Sequence, residues 1–180
     1  MKIFGIDPGS DRTGYGCIEQ ADGRNHLVIY GSLSAPARST FPEKLKHVHA
    51  GLVALLARHR PDCVAVEDIF YARNVRSALK LGHARGVALL AAAEAGLPVV
   101  EYAPAQIKLA VVGFGRAEKH QVGEMIRLLL GLAEVPTPHD AADALAVAVC
   151  HLHSATGLIA ERAAAVRPST PLRSWRDYRP

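Results

Sequence analysis

The chain has 180 residues, of which 49% are hydrophobic and 21% charged, with a formal net charge of +4. That describes one domain able to bury a sizeable core. No stretch approaches the roughly 18 consecutive apolar residues of a membrane span. Cys17, Cys63 and Cys150 are odd in number and far apart. They read as buried thiols in a reduced compartment rather than a disulfide or zinc framework. The opening Lys2-Ile3-Phe4-Gly5-Ile6 is too short and interrupted for a signal peptide, so a cytoplasmic location is expected.

In chain order, residues 2–7 read as a strand that ends in the turn Asp7-Pro8-Gly9-Ser10. Residues 13–19 and 26–34 alternate as two further strands, with Ala21-Asp22-Gly23-Arg24 as a hairpin signal between them. Leu45, Val48, Leu52, Leu55 and Leu56 recur with helical period over 41–60, which Pro61 stops. Residues 63–66 are a continuous apolar run of the kind buried in a parallel sheet. A helix over 75–95, a strand over 98–102 and helices over 104–112, 118–130 and 139–154 follow. A meander followed by alternating helices and strands predicts an α/β domain with a five-stranded mixed sheet flanked by helices. The domain is expected over 1–156. Residues 157–180 are expected to form a mobile basic tail, with five arginines against Glu161 and Asp177.

Four acids stand out. Asp7 closes the first apolar strand, Glu67 closes 63–66, and Asp140 and Asp143 open the last helix, three residues apart on one surface. Each has a plain structural reading on its own: a turn residue for Asp7, and helix-capping acids for the pair. Glu67 is harder to account for, since glutamate is a poor strand former. Together at the carboxyl ends of two strands, the four would repel and raise one another's pKa unless a cation relieved them. Carboxylate oxygens select Mg²⁺, with Mn²⁺ a natural substitute. Two such ions about 4 Å apart activate a water and stabilise the leaving oxygen of a phosphodiester.

Basic residues concentrate between Arg73 and Lys119. Arg73, Arg76, Lys80, Arg85, Lys108, Arg116 and Lys119 outnumber Glu94, Glu101 and Glu118, which suggests a polyanion surface. Gly82 and Gly86 form a stripe without side chains on their helix, suited to a dimer mate or to tight packing within one subunit.

The chain then carries a series of segments in order. They are Gly-Ile-Asp-Pro-Gly-Ser at 5–10, Thr-Gly-Tyr-Gly at 13–16 and Val-Glu-Asp-Ile-Phe at 66–70. Next come Ser-Ala-Leu-Lys-Leu-Gly-His-Ala-Arg-Gly at 77–86, Val-Val-Gly-Phe-Gly-Arg-Ala-Glu-Lys at 111–119 and Asp-Ala-Ala-Asp-Ala-Leu-Ala at 140–146. This set resembles the RuvC family of Holliday-junction resolvases. The resemblance implies an RNase H-like fold, a homodimer and Mg²⁺-dependent symmetric nicking of four-way junction DNA, with RuvA and RuvB as partners. It places Asp7, Glu67, Asp140 and Asp143 on the family's metal-binding acids, and Phe70 on an aromatic that stacks on a base near the junction centre. Lys108 and Lys119 match lysines near the active site, and Arg73 and Arg76 would touch the DNA backbone. His139 and Asp68, beside these acids, are expected to lie outside the ligand set. Three rivals remain open: an ATPase of the actin and sugar-kinase type, an inactive junction-binding protein, and another RNase H-like nuclease acting on RNA–DNA hybrids.

Overall fold

The computed structural model describes residues 1–68, 74–155 and 157. Strand β1 (Lys2–Asp7) lies at the centre of a five-stranded sheet with order β3-β2-β1-β4-β5. β2 (Thr13–Ala21) and β3 (Arg24–Leu33) complete the antiparallel meander, and β4 (Cys63–Glu67) and β5 (Val99–Tyr102) run parallel to β1. Asp22 and Gly23, with φ 52° and 72°, make the two-residue turn between β2 and β3. Both positive dihedrals match the twist of a tight hairpin. This turn extends both strands beyond their expected ends.

Five helices cover the sheet: α1 (Phe41–His59), α2 (Val75–Glu94), α3 (Pro104–Val112), α4 (Lys119–Leu129) and α5 (His139–Ala155). Their ends follow local chemistry. The Thr40 N–H donates to Glu43 Oε2 at 2.6 Å in front of α1, and Asn74 Oδ1 accepts the Ser77 N–H at 2.9 Å in front of α2. Arg60, at φ 45°, ends α1 just before Pro61.

Strand alternation sends side chains to two cores. Phe4, Ile6, Val64 and Val66 pack against Leu52 and Leu56 of α1 and Ala88 and Ala91 of α2. Ile3, Cys63 and Ala65 face α3, α4 and α5. Helix α5 lies between the sheet and α3 and α4, so it is buried almost all round from Ala141 to Leu152. It reaches the sheet over glycine. A Cβ on Gly5 would lie 2.1 Å from the Ala144 carbonyl oxygen, and one on Gly14 would lie 1.9 Å from that of Asp140. The helix thus rests on bare backbone of β1 and β2, and this contact sets where its first turn stands.

Candidate active site

The residues that end β1 and β4 converge because the strands are parallel neighbours. Ile6 pairs with Val66, which brings Asp7 and Glu67 next to each other one residue on. Both follow the alternation toward α5. Asp68 falls on the other face, where it forms an ion pair with Arg85 of α2 at 3.0 Å, outside the cluster as expected. His139 is exposed, also as expected. Gly14 stands opposite Asp7 in β2 and lies against Asp140, which brings the start of α5 over the same strand ends.

Asp7, Glu67 and Asp143 line a cavity of about 200 Å³, closed on the far side by Pro104, Ile107 and Lys108 of α3 and by Lys119 and Val122 of α4. A larger cavity of about 490 Å³ lies on the other face of the sheet, between Val53, Leu56, Ala91 and Leu97. Its lining holds one acid, Glu94, so it lacks the convergent chemistry of the smaller one.

The expectation of mutually unpaired carboxylates holds for two of the four acids. Burial pushes Asp7 up to about 8, helped by the charge of Glu67, by their hydrogen bond and by the charges of Asp143 and Asp140. Glu67 is also raised, chiefly by burial, while its hydrogen bond to Asp7 pulls the other way. Crowding of two buried carboxyls thus favours the protonated form of Asp7 beside Glu67. The other two acids are paired with cations, which corrects the picture of four bare charges. Lys119 Nζ donates to Asp143 Oδ2 at 2.7 Å, and this bond is the main reason the lysine's own pKa is raised. Asp140 Oδ2 lies 3.7 Å from Arg12 Nη1. Arg12 was not singled out in the sequence; its only signal there is a positive charge just after the Asp-Pro-Gly turn.

The donor set is all hard oxygen, with no cysteine or histidine in the cavity lining, and two cations offset only part of its charge. That chemistry fits Mg²⁺ or Mn²⁺. Among the described residues no three histidine, cysteine or acidic side chains already form a group that could hold an ion. Loading would therefore require the side chains to draw together and Asp7 to ionise.

Of the expected DNA contacts, Lys108 and Lys119 line the cavity, and Arg116 is exposed in the turn between α3 and α4. Arg76 and Lys80 are exposed on the first turns of α2, with Lys80 Nζ 5.6 Å from the Phe41 ring centre. Arg85 is engaged by Asp68 and Glu101 and is not available to a phosphate. Phe70 and Arg73 lie outside the described residues. The stripe of Gly82 and Gly86 has no atom of the described residues within 4 Å of a Cβ built on either glycine. Tight packing against the described residues is thereby excluded as its purpose.

A family described as Crossover junction endodeoxyribonuclease RuvC matches residues 3–151. A protein of that name from Syntrophomonas wolfei is 52% identical over 154 residues, covering 86% of this chain and 90% of its own. Another, from Trichlorobacter lovleyi, is 48% identical over 180 residues and covers 100% of both chains. Among solved structures, Thermus thermophilus RuvC matches with TM-score 0.78 at 38% identity, covering 87% of this chain and 97% of that one. The same protein in complex with Holliday junction substrate matches with TM-score 0.79 at 36% identity and the same coverage. The yeast mitochondrial Holliday junction resolvase Ydc2, at 14% identity and TM-score 0.61, shares the fold. The α/β architecture is the RNase H-like one.

Proposed function

This chain belongs to the RuvC family of crossover junction endodeoxyribonucleases, and we infer that its acid cleft resolves four-way DNA junctions by metal-assisted phosphodiester hydrolysis, one nick in each of two opposed strands. The observation that carries this reading is the meeting of Asp7, Glu67 and Asp143 with two lysines in one small cleft. Bare carboxylates would repel DNA, so an acid cleft walled by lysines makes sense for a phosphate only with a cation present.

Asp7, Glu67, Asp140 and Asp143 are the ligands we propose for Mg²⁺, for which Mn²⁺ substitutes, with two ions per site. Bound there, the ions would supply an activated water and stabilise the leaving oxygen. Lys119 then serves as a catalytic cation at the scissile phosphate, and Lys108 lines the same wall. Arg76, Lys80 and Arg116 are exposed and suited to backbone contacts, and Phe70 and Arg73 are proposed DNA contacts on family resemblance alone. The inactive junction-binding reading and the RNA–DNA hybrid reading are outcomes of the same assay. Cleavage of a synthetic four-way junction is compared with a linear duplex and an RNA–DNA hybrid, in Mg²⁺ and with chelator. Paired nicks confined to the junction and lost with chelator are expected, and Lys119→Ala should slow them by roughly 10²-fold. Cutting of the hybrid would reassign the substrate, and binding without cutting would leave a junction-binding protein.

Two strands need two sites, which a twofold homodimer supplies. Helix α2 offers the face: Val75, Leu79 and Leu90 are exposed, Leu79 by 60%, in line with Gly82 and Gly86 on one side of the helix. Leu79→Glu should convert a dimer to a monomer in sedimentation velocity, since an exposed residue can change without unfolding the subunit. A dimer that persists would move the interface elsewhere. RuvA and RuvB remain proposed partners on family resemblance. The nuclease domain is proposed to span 1–156, with 157–180 as a basic extension. No helix among the described residues is long and apolar enough to cross a membrane. The free, buried Cys17, Cys63 and Cys150 support a cytoplasmic setting.

A further inference from the structure

The four acids fall into two pairs. Among the described residues, Asp7 and Glu67, from the strands, face each other without a cation of their own in ion-pair distance, whereas the two acids of α5 each have a cation, on opposite sides. Lys119 of α4 holds Asp143, and Arg12 of the β1–β2 turn holds Asp140. Lys119 belongs to the lysine wall already described, but Arg12 has no such part. Its turn is braced. Thr13, fully buried, donates its hydroxyl to the Gly9 carbonyl at 3.3 Å, and Asp11 forms an ion pair with Lys44 of α1. The backbone is thus fixed while the Arg12 side chain is 49% exposed, facing an Asp140 side chain 37% exposed.

A half-exposed pair at 3.7 Å is longer than a hydrogen bond and is screened by water, so it contributes little and exchanges easily. A guanidinium also matches a phosphate as well as it matches a carboxylate, through the same fork of donors. A divalent cation taking Asp140 would repel the arginine from it. We propose that Arg12 is a phosphate-anchoring residue stored on Asp140, released to the bound strand when a divalent cation takes that carboxylate. This rests on the metal-dependent reading of the cleft and adds to it a residue whose grip on DNA is switched on by the metal.

The signature is a contribution to DNA binding that exists only with the cation. Fluorescence anisotropy of a labelled four-way junction, measured across a potassium chloride series in EDTA and in Ca²⁺, reads it directly. One lost phosphate contact lowers the slope of log K against log salt by about 0.9. Arg12→Gln should lower the slope by about that amount in Ca²⁺ and leave it unchanged in EDTA, while Arg12→Lys restores most of it. Arg12→Met, which keeps the aliphatic stem, replaces the glutamine variant should that one melt early. An equal loss in both media would make Arg12 a permanent surface contact, and no loss in either would remove it from the DNA interface. Both outcomes overturn the proposal. Failure of the underlying reading shows separately in the unsubstituted chain, as junction cleavage indifferent to divalent cations.

Discussion

Asp7→Asn is expected to abolish junction cleavage while leaving junction binding intact or tighter. Asparagine keeps the size of the side chain and its neutral hydrogen bond to Glu67, so the strand end has little reason to move. What it loses is the charge a hard cation needs. Losing a ligand that serves both the water and the leaving oxygen forfeits about 4 kcal/mol or more of transition-state stabilisation, roughly 10³-fold in rate. Binding follows a different term, because removing a potential anion from a phosphate-facing cleft lowers repulsion. Loss of binding together with cleavage would instead make Asp7 a structural residue.

The same variant carries a second readout, free of catalysis. Asp7 is raised from 3.8 to about 8 in the folded protein, so between those values the fold holds a proton that the unfolded chain has released. The contribution of Asp7 to stability then falls as pH rises from about 4 to about 8. Asparagine has no such proton. At pH 8 the variant should be more stable than the parent, read as a higher Tm, and the gap should close toward pH 4. Mg²⁺ or Mn²⁺ should raise the Tm of the parent at pH 8 and do little for the variant, since a ligand that binds only the folded form stabilises it by mass action. Parallel melting curves across pH would show that Asp7 sits in a more solvated setting than its burial indicates.

Gly14→Ala is expected to damage both fold and activity, and it tests how the helix acids are placed. The added methyl would sit 1.9 Å from the Asp140 carbonyl oxygen and 3.1 Å from its Cβ. Neither neighbour is a flexible side-chain end, so the first turn of α5 must back away from the sheet. Overpacking of this kind costs about 1–3 kcal/mol, read as a fall of roughly 5 °C in Tm. Displacing a catalytic carboxylate by about 1 Å costs on the order of 10²-fold in rate. Thermal melts and single-turnover cleavage, run well below the variant's Tm, separate the two. A variant with normal Tm and normal rate would mean that α5 does not rest on β2 as described. Gly5→Ala, with its methyl 2.1 Å from the Ala144 carbonyl oxygen, should be at least as destabilising.

Much of this protein is legible in one dimension. Hydrophobic period, Pro61 and the Asp22-Gly23 turn are local signals, and each element lies within a few residues of where those signals put it. Asp7 and Glu67 were visible because a carboxylate ending an apolar run is costly without a purpose. Asp140 and Asp143 were visible only as a pair at helical spacing, equally readable as caps. The direction of Asp68 followed from strand alternation alone, and Arg85 on the other face confirms it.

What the sequence determined by itself, then, is the order and type of the elements and the four candidate acids at their ends, because those depend on neighbours in the chain. Only the tertiary structure decided how the acids are balanced. The meeting of Asp7 and Glu67 depends on β1 and β4 lying in register, and the pairing of Asp143 with Lys119 depends on α4 packing beside α5. Arg12 meets Asp140 only because α5 rests on bare glycine backbone, and the outward stripe of Gly82 and Gly86 shows only once α2 has turned its other side to the sheet. Charge balance is set by distance through space, and residues 128 apart in the chain become neighbours only when the sheet forms.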